Sequence, residues 1–228
     1  MSQNKLTTIG LYLWRLLKFG LLFGLIILPQ FALLLPSWFP KNYSPLTKIA
    51  VAWLFFSLAY VLAVFCLFKQ FKPRKLAPIK GKMTNDVIVG FIAFLFIKIL
   101  YGFISNIQTT QNDAALRQMF SLSTSAMLMM TLMTIFMAPL CEELLFRGLF
   151  MQYFFPNSRF LAIFFSGACF GAIHFHSGDD LTVLLLYMSF GWILAYYYKK
   201  SDNLLVPITI HFLNNLPAAL VILLSNLA

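Results

Sequence analysis

The sequence predicts an all-α, polytopic transmembrane bundle of about seven spans. Three observations lead there. Over 228 residues the chain is 61% hydrophobic and only 11% charged, about half the charged share of a globular domain. Its mean hydropathy is +0.83. Several apolar runs approach the roughly 20 residues that a helix needs to cross a bilayer. The net charge of +10 does not point to nucleic acid. The positives gather at span ends, where they set topology and meet the anionic headgroups of the lipid bilayer.

The first run, about 17–35, continues into LLLPSWFP at 33–40. It lacks the short apolar region and cleavage site of a signal peptide, so it reads as a retained span. Spans at about 48–68 and 84–107 follow, then 122–142 with its extension, 159–176, 181–198 and 204–227. The connections between them carry turn chemistry: KQFKPRKLAPIKGK, NIQTTQNDAALRQ, FPNSR, HSGDD and KKSDN. With no internal repeat, one membrane domain is expected. Residues 1–120 hold spans 1–3, and 121–228 hold a four-span core, spans 4–7.

If the spans alternate, Lys5, Arg15 and Lys18 share a side with the six basic residues of 69–82, with Arg159 and with Lys199 and Lys200. Only Lys41, Lys48 and Arg117 fall opposite. This asymmetry puts the N-terminus in the cytoplasm and the C-terminus outside. Cys66, Cys141 and Cys169 form no C-x-x-C pair and lie in or beside apolar runs, so they are expected to pack rather than to form disulfides.

Ionisable groups inside spans are costly and mark candidate sites. Glu142 and Glu143 are the only glutamates in the chain, and Arg147 follows them. His174 and His176 end the fifth span, and His211 lies in the seventh with Asn214 and Asn215. Glu143 and Arg147, at i,i+4, share a helix face and can pair. Glu142 is turned about 100° away. Phe170 and His174 are also i,i+4, as are His211 and Asn215. Pro139 can open the helix just before Glu142. Counting from the FPNSR turn brings Glu142 level with His174, and Gly167 and Gly171 offer a surface for close helix approach. The same counting leaves His211 shallower. His176 and Asn214 fall off the catalytic register, Lys98 reads as a structural or snorkelling lysine, and Trp14, Trp38 and Trp53 suit an interfacial belt.

EELLFR (142–147), FGAIH (170–174) and HFLNN (211–215) match EExxxR, FxxxH and HxxxN. In this order they resemble the motifs of the CPBP family, the CAAX-protease and bacteriocin-processing intramembrane endopeptidases also called Abi. The resemblance covers about residues 120–225. The residues suit peptide hydrolysis, which needs an activated water, a stabilised oxyanion and a proton for the leaving amine. A carboxyl group taken out of bulk water can take and return a proton near neutral pH, which makes Glu142 the candidate general base. His174 can share the water, while His211 and Asn215 can donate to the oxyanion. The resemblance implies the same roles. It further implies that Glu143 and Arg147 support the site through an ion pair and that Phe170 packs beneath His174.

Glu142, His174 and His211 could instead bind zinc. No H-E-x-x-H is present and Asn215 is a poor zinc ligand, so a metal-free glutamate mechanism is expected, with no cofactor. The expected setting is a bacterial cell membrane and the expected partner a peptide or membrane-protein substrate, in peptide maturation or bacteriocin self-immunity. Cleavage of a prenylated CAAX tail ranks low, because the compact chain resembles bacterial members. A non-catalytic immunity protein that acts by binding is the main alternative. A proton-coupled transporter ranks last, because paired broken helices are not evident.

Overall fold

The computed structural model describes residues 3–70, 76–105 and 110–225, and they form a helical bundle with six helices long and apolar enough to cross a membrane. The first helix, α1 (Gln3–Ile27), continues as a 3₁₀ segment, Leu28–Leu33. Pro29 lacks an amide hydrogen, which favours the tighter turn there. A short helix, Leu35–Trp38, leads to α2 (Pro45–Gln70), whose first turn is capped by Ser44 Oγ accepting from the Thr47 amide at 3.1 Å. Next come α3 (Lys82–Ile104) and α4 (Gln111–Phe120). The fourth span is one 31-residue rod, α5 (Thr124–Phe154). The hairpin and last span are α6 (Arg159–Ile173), α7 (Leu181–Ser201) and α8 (Leu205–Ser225). Phe103, Leu46 and Phe160 are at least 74% exposed, a surface suited to lipid rather than water.

Three features differ from the sequence expectation. The first helix starts at Gln3 rather than near 17, because nothing in 3–16 breaks it. The NIQTTQNDAALRQ connection contains α4, capped by Thr110, whose Oγ1 accepts from the Asp113 amide at 3.1 Å. The fifth expected span, α6, has only 15 residues, about 22 Å of helix, against a hydrocarbon core of about 30 Å.

Contacts sort the helix ends into two levels. Lys18 Nζ meets Gln70 Oε1 at 3.0 Å and Arg15 donates to the Tyr153 carbonyl at 2.6 Å. Lys200 pairs with Asp86 at 2.6 Å, and Asn203 Nδ2 donates to the Ala77 carbonyl at 2.7 Å. These contacts gather the start of α3, the ends of α2, α5 and α7 and the basic part of α1. At the other level, Trp53 Nε1 donates to Ser125 Oγ at 3.0 Å and the Gln111 amide to Asp179 at 3.0 Å. The helices therefore alternate in direction, and the short α6 is included. Lys72, Arg74 and Lys75, used in the charge count, lie outside the described residues. All three cysteines are free.

The N-terminal helices clasp the core from two sides. Phe19 of α1 packs against Phe146, Phe150 and Phe154 of α5. Phe94 of α3 stacks on Phe190 of α7 at 4.5 Å. Gly167 and Gly171 do bring two helices close, but the partner is α7 rather than the fourth span. A Cβ at Gly167 would overlap the Trp192 indole, and one at Gly171 would lie 2.8 Å from the Met188 backbone nitrogen. Gly191 completes the crossing, its would-be Cβ lying 2.7 Å from Gly167 Cα.

Because backbone atoms form the obstacle, Gly171→Ala must push α6 from α7. The expected cost is about 1–3 kcal/mol of stability, read as a lower melting temperature in detergent. Gly24→Ala, with no atom within 4 Å of the added carbon, should leave melting unchanged or raise it. Equal melting of the two variants would contradict this packing.

Candidate active site

The chemistry of α5 begins with a broken ladder. Its residues Met133–Met137 and Leu144–Phe150 are π-helical, flanking the turn Ala138–Glu143. In a π-turn each amide bonds five residues back, as Ala138 does to the Met133 carbonyl. The next amide would serve Thr134, but position 139 is proline and has none. Asn215 of α8 fills the gap, its Nδ2 donating to the Thr134 carbonyl at 3.0 Å. Its Oδ1 accepts from Asn214 Nδ2 at 2.9 Å. The last residue of HxxxN is thus fixed to the helix that carries EExxxR.

Glu143 and Arg147 are fully buried and pair at 3.1 Å, as their spacing indicated. The guanidinium also donates to the Gly191 carbonyl at 2.9 Å and lies 4.8 Å over the Phe170 ring. Glu143 has a second partner that sequence reasoning missed: His211 Nδ1 lies 3.0 Å from the same Oε1. The wide turns of α5 bring Glu143 to the level of His211, which turn-counting had left shallower. Since a carboxylate accepts, Nδ1 carries the proton, leaving Nε2 for other chemistry.

His174 closes α6 as its C-cap. Its amide bonds three residues back to Gly171 at 3.1 Å, which releases the carbonyl of Phe170. The imidazole takes that carbonyl, Nδ1 to oxygen 2.9 Å, while the Phe170 ring packs on it at 4.6 Å. The FxxxH spacing therefore supplies both a ring and a backbone acceptor, and again Nδ1 must donate. Phe170 also sits edge-on to His211 at 5.8 Å, so both imidazoles touch one aromatic ring.

Glu142 stands apart from its neighbour. It is partly buried, and its Oε2 is enclosed without a hydrogen-bond partner among the described residues. Phe170 links the two helices, lying under Arg147 of α5 and packing on His174 of its own helix. His176 is exposed and in the loop, where its amide bonds Asp179. Lys98 lies on α3 with its ammonium 5.9 Å from the Phe190 ring. Among the described residues no three His, Cys, Asp or Glu side chains converge as metal ligands.

Helix α7 carries no motif yet walls the site. It provides Gly191 for Arg147 and Tyr187, whose ring stacks on His174 at 4.7 Å. A tyrosine one turn from a glycine inside an apolar run was the available signal, since a buried phenol needs a hydrogen-bond partner.

Carboxylates, imidazoles and a buried arginine are thus held together inside an apolar bundle. Residues 124–217 match the family described as type II CAAX prenyl endopeptidase Rce1-like, a stretch that contains all three motifs. Over that stretch the chain is similar to this family, as the motifs indicated. The chain is also 28% identical over 172 residues to the Escherichia coli "Uncharacterized 24.3 kDa protein", covering 70% of this chain and 76% of that one. It is 27% identical over 134 residues to the Bacillus subtilis (strain 168) "Putative membrane peptidase YdiL", covering 56% of this chain and 52% of that one. No solved structure matches the chain.

Arg147→Ala leaves Glu143 charged and buried with only His211 beside it. The expected loss is about 3–5 kcal/mol of stability, measured by thermal melting and by protein level in the membrane. Replacing both partners, Glu143→Leu with Arg147→Met, should recover much of it, because no buried charge is stranded. A stable but inactive Arg147→Ala variant would instead give Arg147 a direct chemical role.

Proposed function

We propose that the chain is an intramembrane endopeptidase in which Glu142 activates water, serving bacterial peptide processing or bacteriocin self-immunity. The carrying observation is the unequal use of two adjacent glutamates. Glu143 gives one carboxylate oxygen to both Arg147 and His211, whereas Glu142 has no hydrogen-bond or ion-pair partner among the described residues; the Oε2 of each is enclosed and unpartnered.

In this reading Glu142 takes a proton from water while Nε2 of neutral His174 accepts the water's other hydrogen bond. The hydroxide attacks the scissile carbonyl. The second amide hydrogen of Asn215 donates to the oxyanion, and so does Nε2–H of His211 when that ring is protonated. Glu142 then returns the proton to the leaving amine. Residues 121–228 form the catalytic core and 1–120 brace it.

Zinc at Glu142, His174 and His211 fits the donors poorly. The three do not converge as ligands, and the Asn215 amide nitrogen faces a carbonyl as a donor. We therefore assign no metal to the reaction. The charge asymmetry supports a cytoplasmic N-terminus in a bacterial membrane.

The test is cleavage of a quenched fluorescent peptide library by the purified full chain in detergent. Glu142→Ala and His174→Ala should each lower turnover at least about a hundredfold, the scale of general-base loss. The double variant should be no worse than either, because the groups act as a unit. His176→Ala should cleave at the wild-type rate, and chelators should leave that rate unchanged. Cleavage by Glu142→Ala would end the glutamate mechanism. Toxin resistance retained by cells expressing Glu142→Ala would show that resistance comes from binding.

A further inference from the structure

We propose that Tyr187 is a positioning residue for His174 and that the start of α4 holds it in place; the inference rests on the assignment of His174 to the reacting water. One hydrogen bond, Nδ1 to the Phe170 carbonyl at 2.9 Å, fixes one edge of the imidazole but leaves its plane free to swing. Two aromatic rings restrain the plane. Phe170 lies at 4.6 Å and is tilted by 33°, while Tyr187 lies at 4.7 Å and is within 15° of parallel. Phe170 belongs to the same helix and motif as His174. Tyr187 belongs to no motif and comes from α7.

The phenol is anchored in turn. Asn112 Nδ2 donates to its oxygen at 3.1 Å, and Thr110 Oγ1 lies 3.4 Å away. Asn112 supplies one hydrogen to the phenol oxygen, and a second hydrogen bond joins that oxygen to the Thr110 hydroxyl, with either hydroxyl as donor. Thr110 is 3% exposed and its Oγ1 also accepts from the Asp113 amide, so the anchor is the N-cap of α4 itself. The same helix start holds the loop after His174. The Gln111 amide donates to Asp179 Oδ1, and Asp179 Oδ2 accepts from the His176 amide at 2.9 Å. Helix α4 therefore grips His174 twice, through the stacked tyrosine and through the following loop. It lies outside the matched residues 124–217, so a segment outside the family's own region completes the site.

A swing of the imidazole moves Nε2 away from the water, and small misplacement of a catalytic group can cost about a hundredfold in rate. With three histidines in the chain, ring-labelled histidine NMR of the full protein in detergent can follow His174, assigned through its own substitution. Tyr187→Leu should shift the His174 ring resonances and spread the ring over both neutral tautomers. Tyr187→Phe keeps the stack but loses the hydrogen bonds to α4, so it should keep the wild-type tautomer and displace the resonances only about as far as Asn112→Leu. Asn112→Leu should displace the same resonances by a smaller amount while melting stays near wild type. In the cleavage assay Tyr187→Leu should lower kcat about tenfold to a hundredfold with KM nearly unchanged, and Tyr187→Phe should recover most of it. If Tyr187→Leu fails to fold, Asn112→Leu carries the test. His174 resonances that coincide with wild type in either variant would overturn the proposal. Cleavage by Glu142→Gln would end the glutamate mechanism separately, since the NMR result does not depend on it.

Discussion

A single buried cation constrains the bundle. Arg147 has no exposed surface, and a guanidinium cannot shed its charge to enter an apolar interior. Three elements supply partners to its two terminal nitrogens and its face, while Nε is enclosed without a partner among the described residues. Helix α5 supplies Glu143, α7 the Gly191 carbonyl and α6 the face of Phe170. Through the same carboxylate oxygen the contact passes to His211 of α8. Four helices thus meet at one charge. Removing water from such a pair costs several kcal/mol per ion and its attraction only offsets this when geometry is good, so its contribution lies in specifying which helix faces meet.

The backbone irregularity of α5 follows from the same demand. A regular helix would bond all its own carbonyls. Pro139 withholds one amide, the π-turn leaves the Thr134 carbonyl open, and the Asn215 amide takes it. Non-helical backbone inside a membrane is tolerated where protein covers it, and here it ties the third motif to the first. At the end of α6, the three-residue backbone bond of His174 releases the Phe170 carbonyl for its ring. In both places a spare backbone acceptor orients a polar side chain.

The bundle and the Glu143–Arg147 pair were legible because they rest on local rules: long apolar runs, i,i+4 spacing, and turns rich in Gly, Pro, Asn and Ser. The Glu143–Arg147 pair came directly from spacing, and the Phe170–His174 packing from the family resemblance. Long-range partners were not legible. The His211–Glu143 bond joins residues 68 apart and depends on a π-turn whose only sequence cue is Pro139. The glycines of α6 signalled close approach without naming α7 as the partner. Helix α4 was hidden by its polar composition, although Thr110 and Asp113 spell a cap. Tyr187 could be read as an apolar span residue, and its role comes from a stack that only the tertiary fold creates.

The central claim is that two neighbouring glutamates divide structure from chemistry. It is tested most directly by thermal melting of Glu142→Gln and Glu143→Gln in the same detergent. Glu143→Gln should melt several degrees lower, because it strips the buried Arg147 of its counter-charge and His211 of its acceptor. Glu142→Gln should melt at the wild-type temperature or above it, since it removes a carboxylate with an unpartnered enclosed oxygen. The reverse order, with Glu142→Gln the destabilised variant, would contradict the account.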